Sequence, residues 1–238
     1  MRSAVAGPDL PISQVVWCPC YRIIPSRFPP IQLFERVADP EDLEAVIAVE
    51  SLTNDRILDR LGKLHLVPAE DRISGPGTSV IMAAFTHLNP EGSRFSDGSF
   101  GVFYAGADLE TTVAETRYHR ERFMGATSEP PMELDMRVYL TDLDGGLHDL
   151  RGLQVGYPGV YRPDNYVEGQ ALGRALRAKG AWGIVYDSVR RADGECGAVF
   201  RPPVLSNCRQ GAHLSYVWDG ARISHVYEKR ILNITRTG

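Results

Sequence analysis

Hydrophobic and polar positions alternate along parts of the chain with the period of strands. From Met132 to Leu140, apolar residues alternate with charged ones, which predicts a strand with one solvent-exposed face. Short β-rich runs follow, separated by Gly or Asp turns, at residues 182–186, 197–201, 214–218 and 222–227. The pair Asp219-Gly220 between the last two runs predicts a hairpin turn.

The best-defined local unit is a strand followed by a helix. Residues 101–105 are short, apolar and aromatic, as expected of a buried strand. Asp108 then offers a side-chain oxygen of the kind that caps a helix N-terminus, and the predicted helix runs to about Met124. Tyr104 therefore lies at the end of a strand, and Glu115 lies about two turns into the next helix, eleven residues later.

The remaining segments complete an α+β pattern. Residues 7–31 contain six prolines and are expected to be extended and irregular rather than helical. Residues 41–61 and 167–179 have helical spacing, and the second segment ends at Gly180. The apolar run 79–85 fits a strand or a buried helix equally well. Together these segments predict an α+β fold with a mostly antiparallel sheet core and flanking helices.

Length and composition fit one domain. The chain has 238 residues, 43% of them hydrophobic, which is enough to build a single α+β domain over residues 1–238 with an extended N-terminal region at about 23–90. The formal net charge of −4 gives no overall attraction to a phosphate backbone, so nucleic acid is not an expected direct partner. No apolar run reaches the ~18 residues of a membrane span and no export signal is evident, so we expect a cytoplasmic protein with no membrane association.

Cysteine and histidine positions argue against a metal site. The spacing Cys18-Pro19-Cys20 is too tight for an ordinary disulfide or a two-ligand metal knuckle, so the four cysteines are predicted to be free thiols. The six histidines are dispersed without paired ligand spacing. We therefore expect no metal.

Tyr104 and Glu115 form the first candidate pair for chemistry. An aromatic face can stack a planar ring, and a carboxylate can stabilise an oxocarbenium-like centre as a base leaves a ribose. The alternative is a core tyrosine and a solvated helix charge. His119 lies four residues after Glu115 on the same helical face, where it either pairs with the carboxylate or is simply exposed.

Arginines in non-helical segments are candidate phosphate ligands. Arg22, Arg27 and Arg94 lie in Pro-rich or Gly-rich contexts, where guanidinium groups and free backbone donors can surround a pyrophosphate. The loop 92–99 has neither a P-loop lysine nor a GxGxxG turn. Ser188 lacks the G-x-S-x-G elbow of a hydrolase nucleophile, and it is either a ligand contact or an ordinary turn serine.

Three motifs, taken in their order along the chain, resemble those of the RES domain, which is the toxin half of bacterial toxin-antitoxin pairs and is named for an arginine, a glutamate and a serine. The motifs are Cys20-Tyr21-Arg22, then Gly92-Ser93-Arg94-Phe95 with Val102-Phe103-Tyr104 and Glu115, then Gly183-Ile184-Val185-Tyr186-Asp187-Ser188-Val189-Arg190. The resemblance extends from about residue 20 to 228.

The resemblance implies a fold similar to that of ADP-ribosyltransferase toxins and an active site for NAD+ as substrate. On that basis Arg22 would hold the phosphates or ribose, Tyr104 would stack the nicotinamide, and Glu115 would act at the glycosidic carbon. These three are the expected catalytic residues. The expected NAD+ contacts implied or suggested above are Arg22, Arg27, Arg94, Tyr104, His119 and Ser188.

The same resemblance implies partners. A cognate antitoxin protein would block the site, and the acceptor of ADP-ribose would be a protein, phosphate or water. The extended N-terminal layout resembles a toxin that modifies ribose-phosphate pyrophosphokinase. The insert between Arg22 and Arg94 leaves the family arginine open between Arg22, Arg27 and Arg36.

Two other classes of function compete with this interpretation. A non-catalytic nucleotide- or protein-binding module would not need Tyr104 and Glu115 to share one site. A hydrolase would use Ser188 with His213 or His225, and a serine-reactive probe would label it.

Overall fold

A computed structural model of the chain describes residues 10–26 and 63–230. The strands in these ranges are β1 Ile12–Pro25, β2 Phe103–Gly106, β3 Met132–Asp149, β4 Gly183–Asp187, β5 Glu195–Val199, β6 Leu205–Trp218 and β7 Ile223–Lys229. The helices in these ranges are α1 Thr78–Thr86, α2 Leu109–Gly125 and α3 Val167–Ala178, with short 3₁₀ turns at Leu64–Leu66, Ala69–Asp71 and Pro202–Val204.

The seven strands form one sheet in the order β1-β2-β5-β4-β3-β6-β7. Among these pairings only β3–β4 is parallel. Because β1 also pairs with β3, the five strands β1, β2, β5, β4 and β3 form a closed ring of pairings. The β1–β2 contact in this closed ladder is narrow, because it pairs only Tyr21 with Gly106. The predicted α+β class with a mostly antiparallel sheet is confirmed.

The expectation of an irregular N-terminal lead-in was wrong for residues 12–25. This segment is a fourteen-residue strand that pairs with β3 along most of its length, from Ile12 opposite His148 to Pro25 opposite Met136. Pro19 is tolerated because the register shifts between Trp17 and Cys20, where the ladder does not require its missing N–H. The peptide bond before Pro19 is cis.

The other predicted elements in the described ranges are present. The apolar run 79–85, which fits a strand or a helix by its pattern, forms helix α1. Helices α2 and α3 lie within one or two residues of their predicted bounds. Gly180 follows α3 with a φ of +79°, a left-handed conformation that favours glycine. The Asp219-Gly220 hairpin joins β6 and β7, although β6 begins nine residues earlier than its predicted run. The predicted helix at 41–61 lies outside the described residues.

The two faces of the ladder carry different apolar clusters, and this difference positions the candidate site. Adjacent strand residues point to opposite faces, so Phe103 enters a cluster with α1 whereas Tyr104 packs against a cluster with α3. All four cysteines lie in the described residues and none of them forms a disulfide, as predicted, and three of them are buried. Among the described helices, none combines the length and apolar character needed to cross a membrane.

Candidate functional site

Helix α2 and the end of strand β4 bring Glu115 and Ser188 together. Asp108 caps α2, because its Oδ1 accepts a hydrogen bond from the Thr111 N–H at 2.7 Å. Two turns later, Glu115 is half-buried, and its Oε1 accepts a hydrogen bond from Ser188 Oγ at 2.6 Å. The N–H groups of Arg190 and Arg191 both donate to Ser188 Oγ at 3.1 Å. These two donors fix the serine oxygen, so its single proton is directed to the carboxylate.

Neutral side chains surround the same carboxylate from the sheet. The Cys196 thiol of β5 donates to Glu115 Oε1 with Sγ 3.9 Å away. Burial raises the pKa of Cys196 and of the neighbouring Tyr186 well above their ordinary values, so both stay protonated. Sequence reasoning missed both neighbours, because their position depends on the pairing of β5 with β2 and β4.

Tyr104 lies on the same face of the sheet. In the β2–β5 ladder it pairs with Ala198, while Gly106 pairs with Cys196, so Tyr104 and Cys196 point to one side. The phenol oxygen accepts a hydrogen bond from the Phe95 N–H at 2.9 Å and shares another with Ser93 Oγ at 2.9 Å. Burial raises the pKa of Tyr104 to about 12. The structure therefore brings the predicted tyrosine and glutamate to one face.

Arg22 lies on the other face of β2. Its guanidinium stacks over the Phe103 ring, 4.8 Å from the centroid, and its Nη1 donates to the Tyr104 carbonyl oxygen at 3.0 Å. Burial lowers the pKa of Arg22 to about 10. Arg22 thus contacts the main chain of Tyr104 rather than its ring, and it links β1 to β2 where their ladder is narrowest.

In the sequence, Arg94 lies between Ser93 and Phe95, the two residues that hold the Tyr104 hydroxyl. Its side chain is almost completely buried, with 7% of the residue exposed, and its Nη1 donates to the carbonyl oxygens of Val160 at 2.7 Å and Arg162 at 2.9 Å. The guanidinium also lies over the Tyr166 ring at 4.8 Å. The other two candidate arginines, Arg27 and Arg36, lie outside the described residues.

His119 is exposed at the surface of α2 in a strongly positive environment. Its imidazole makes an edge contact with Tyr118, 5.4 Å between centroids, and the Arg190 guanidinium lies over the Tyr118 ring at 3.3 Å. Desolvation and then nearby positive charges lower the pKa of His119 to about 4, although part of the residue reaches solvent. The charges come from Arg190, Arg94, Arg122 and Arg120.

We expect the imidazole of His119 to titrate near pH 4 in the folded protein. The unfolded chain has an ordinary histidine pKa of about 6.5, so it binds more protons than the folded chain between these values. The stability gained from a neutral His119 is complete above pH 6.5 and is lost as the pH falls towards 4. An NMR titration of the histidine C–H signals, with His119→Gln as the assignment control, measures the midpoint. A midpoint near 6.5 would show that neither burial nor the nearby arginines lower the pKa of His119.

The described residues offer no cluster of three or more His, Cys, Asp or Glu side chains that would hold a metal ion. The expectation that the protein works without a metal stays a prediction.

The chain is similar to one family model, to a curated protein and to a solved structure. The sequence model of the family described as "RES domain" matches residues 69–219. A protein of Sinorhizobium fredii (strain NBRC 101917 / NGR234), named "Uncharacterized protein y4oC", is 35% identical over 209 residues, which cover 87% of this chain and 86% of that protein. Among solved structures, a chain of the M. tuberculosis MbcT-MbcA toxin-antitoxin complex is similar with a TM-score of 0.41 and 13% identity over 88% of each chain.

The family match includes Arg94, Glu115 and Ser188 but begins after Arg22 and Arg27. Within the match, the Ser188–Glu115 hydrogen bond joins two of these three residues directly.

Proposed function

The chain belongs to the RES domain family, and from that premise we propose that it is the toxin of a toxin-antitoxin pair and cleaves the nicotinamide-ribose bond of NAD+. The observation that carries the proposal is the Glu115 carboxylate, fixed by Ser188 on the same face of the sheet as Tyr104. A carboxylate and an aromatic ring on one face fit the two ends of a nicotinamide riboside. The proposed location is the cytoplasm, where NAD+ is plentiful.

In the proposed reaction, the C1′–N bond breaks and its electron pair leaves with nicotinamide, so the ribose becomes an oxocarbenium-like centre. Glu115 lies near this centre and stabilises the positive charge that develops there. Ser188 and Cys196 both contact Oε1, so they hold the carboxylate in place, and in the proposed reaction Oε2 is the oxygen that acts on the ribose. The acceptor then forms a bond to C1′, and its proton passes to solvent.

Tyr104 provides a rigid surface for the nicotinamide ring. Its hydroxyl is held by Ser93 and by the Phe95 N–H, and its carbonyl is held by Arg22. A tyrosine fixed at both ends loses little conformational entropy when a ring stacks on it. We therefore assign Arg22 the role of positioning Tyr104 rather than of contacting NAD+.

The molecule that accepts ADP-ribose decides the type of enzyme. A protein acceptor makes it a transferase, phosphate makes it a phosphorylase and water makes it a glycohydrolase. We propose a protein acceptor, with ribose-phosphate pyrophosphokinase as the first candidate, because the chain has a long N-terminal sequence before the start of the family match at residue 69. A cognate antitoxin is the second proposed protein partner, and its role is to cover the site until the toxin is released.

The acceptor test uses NAD+ labelled in its adenylate phosphate. Purified protein is incubated with it in buffer, with inorganic phosphate, with a bacterial lysate, and with purified ribose-phosphate pyrophosphokinase. We expect a labelled protein band in the lysate and on the kinase. Label found only in ADP-ribose or its 1-phosphate would contradict protein transfer, and label retained in NAD+ in all four mixtures would overturn the proposed activity.

A further inference from the structure

Arg191 connects the two structural elements that hold the Glu115 carboxylate. Its backbone N–H donates to Ser188 Oγ at 3.1 Å, and Ser188 Oγ donates to Glu115 Oε1 at 2.6 Å. Its side chain reaches the first turn of α2, the helix that carries Glu115. Arg191 therefore contacts the serine through its main chain and the helix of the glutamate through its guanidinium.

The guanidinium of Arg191 contacts the residues that form the cap of α2. Its Nη1 donates to Asp108 Oδ2 at 3.0 Å, to Asp108 Oδ1 at 3.2 Å and to Thr111 Oγ1 at 2.9 Å. Desolvation alone would raise the pKa of Asp108, but hydrogen bonds from Thr111 and the charge of Arg191 outweigh it, so the pKa of this carboxyl is lowered. Asp108 and Arg191 are thus both charged at neutral pH, and Asp108 neutralises the arginine.

Residues 188–194, the Ser188 turn, pack closely against the same end of α2. The Ser188 N–H donates to the Gly194 carbonyl oxygen at 2.7 Å and closes the turn. A Cβ added at Gly194 would lie 2.7 Å from Oγ1 of Thr111, which is completely buried, so the two backbones are too close for any residue but glycine. The Ser188 turn and α2 are therefore held together by this packing and by the Arg191–Asp108 ion pair.

We propose that Arg191 is a positioning residue, which fixes α2 against the Ser188 turn and so places the Glu115 carboxylate, a role that rests on the proposed cleavage of NAD+. The Ser188–Glu115 hydrogen bond joins the two elements, and its 2.6 Å distance is kept only while both backbones stay in place. A displacement of about 1 Å in a reacting group can cost a large factor in rate. Arg191 acts through Glu115 and does not touch the substrate.

Arg191→Met keeps an unbranched side chain but removes the donor nitrogen. We expect kcat for nicotinamide release to fall about tenfold and KM for NAD+ to change less than about twofold, because the carboxylate loses its alignment and no ligand contact is lost. Arg191→Lys should recover most of the lost kcat, since Nη1 makes all three contacts of the guanidinium and an ammonium can replace one nitrogen. Arg209→Met is the matched control, because Arg209 forms a partly exposed ion pair with Asp142 between β6 and β3, and it should keep full activity.

Asp108→Asn tests the same ion pair from its other partner. Asparagine caps a helix about as well as aspartate does, so α2 keeps its N-cap while the charge that faces Arg191 is lost. We expect Asp108→Asn to lower kcat as Arg191→Met does, and the double variant should be no slower than either single variant. Effects that multiply in the double variant would show that the two residues act separately, which would overturn the positioning role.

Amide hydrogen exchange without NAD+ tests the coupling of α2 to the Ser188 turn independently of the proposed activity. The Arg190 N–H donates to Ser188 Oγ and the Ser188 N–H donates to Gly194. Both N–H groups should exchange at least about tenfold faster in Arg191→Met and return to slow exchange in Arg191→Lys. The Phe200 N–H, which donates to the Trp182 carbonyl oxygen, is the internal reference and should not change. The urea unfolding midpoint should stay close to that of Arg209→Met, because both ion pairs are partly exposed.

The outcomes separate failure of the positioning role from failure of the proposed function. NAD+ cleavage with equal kcat in the unaltered chain and Arg191→Met overturns the positioning role alone, as does unchanged exchange in the Ser188 turn. A raised KM at unchanged kcat would make Arg191 a ligand contact and would overturn it too, as would a large loss of stability that Arg191→Lys does not restore. Faster exchange in Arg191→Met beside NAD+ that stays intact with the unaltered chain supports the coupling and contradicts only the proposed activity.

Discussion

Replacing Glu115 with glutamine is expected to lower kcat for nicotinamide release about 10²- to 10³-fold while leaving the fold and the affinity for NAD+ nearly unchanged. Glutamine has the same shape and can still accept the hydrogen bond from Ser188 Oγ, which Glu115 accepts at 2.6 Å. It carries no charge, however, so it cannot stabilise the oxocarbenium-like centre, and losses of this kind cost about 10²- to 10³-fold in rate.

Nicotinamide release under saturating NAD+ and the Kd for NAD+ by calorimetry together test this prediction. Glu110→Gln is the matched control, because Glu110 lies on the same helix but is exposed in its first turn. Glu110→Gln should keep full activity. If Glu115→Gln releases nicotinamide as fast as the unaltered chain, Glu115 is not the group that acts on the ribose.

Replacing Asp71 with asparagine is expected to destabilise the protein by about 3 kcal/mol. The Asp71 side chain is only 4% exposed, and both of its oxygens accept hydrogen bonds from the Arg201 guanidinium, at 2.7 to 3.1 Å. Removing one partner of a buried pair leaves the other charge uncompensated, which costs about 3–5 kcal/mol. The lower end applies because Arg201 keeps 27% of its side chain exposed and still stacks on Trp182.

Urea unfolding of Asp71→Asn at neutral pH measures this loss. We expect a lower unfolding midpoint, with the dependence of the unfolding free energy on urea concentration unchanged. Asp135→Asn is the control, because Asp135 forms an exposed pair with Lys229 and should leave the midpoint nearly unchanged. Equal midpoints for the two variants would show that the buried pair does not anchor the turn at Ala69–Asp71 to the sheet.

Elements with local signals could be predicted from the sequence. Helix α2 follows from its Asp108 cap, and the β6–β7 hairpin follows from its Asp219-Gly220 turn. Strand β1 could not be predicted in the same way, because it is held by pairing with β3, more than a hundred residues later in the chain. The prolines of this segment indicate irregular backbone, whereas its pairing with a distant strand leaves no signal in the local sequence.

The candidate site was predictable only where spacing determines geometry. Tyr104 and Glu115 share a face because a strand end and the next helix are connected by a short turn. Cys196 and Arg190 join them through the β2–β5 ladder and the turn after β4, and neither contact leaves a pattern in the sequence. The face of the sheet on which Arg22 lies depends on the alternation of side chains along β1 and on the strands with which β1 pairs. The sequence alone therefore could not show whether Arg22 contacts the ligand or positions Tyr104.

The account requires that this site break the nicotinamide-ribose bond of NAD+, and free nicotinamide is the most direct evidence of that step. Purified protein, free of any antitoxin, is incubated with NAD+, and nicotinamide is quantified by chromatography over time beside Glu115→Gln. We expect steady release by the unaltered chain and a rate at least about a hundredfold lower for the variant. NAD+ that stays intact with the unaltered chain, both in phosphate buffer and in a bacterial lysate, would contradict the central claim.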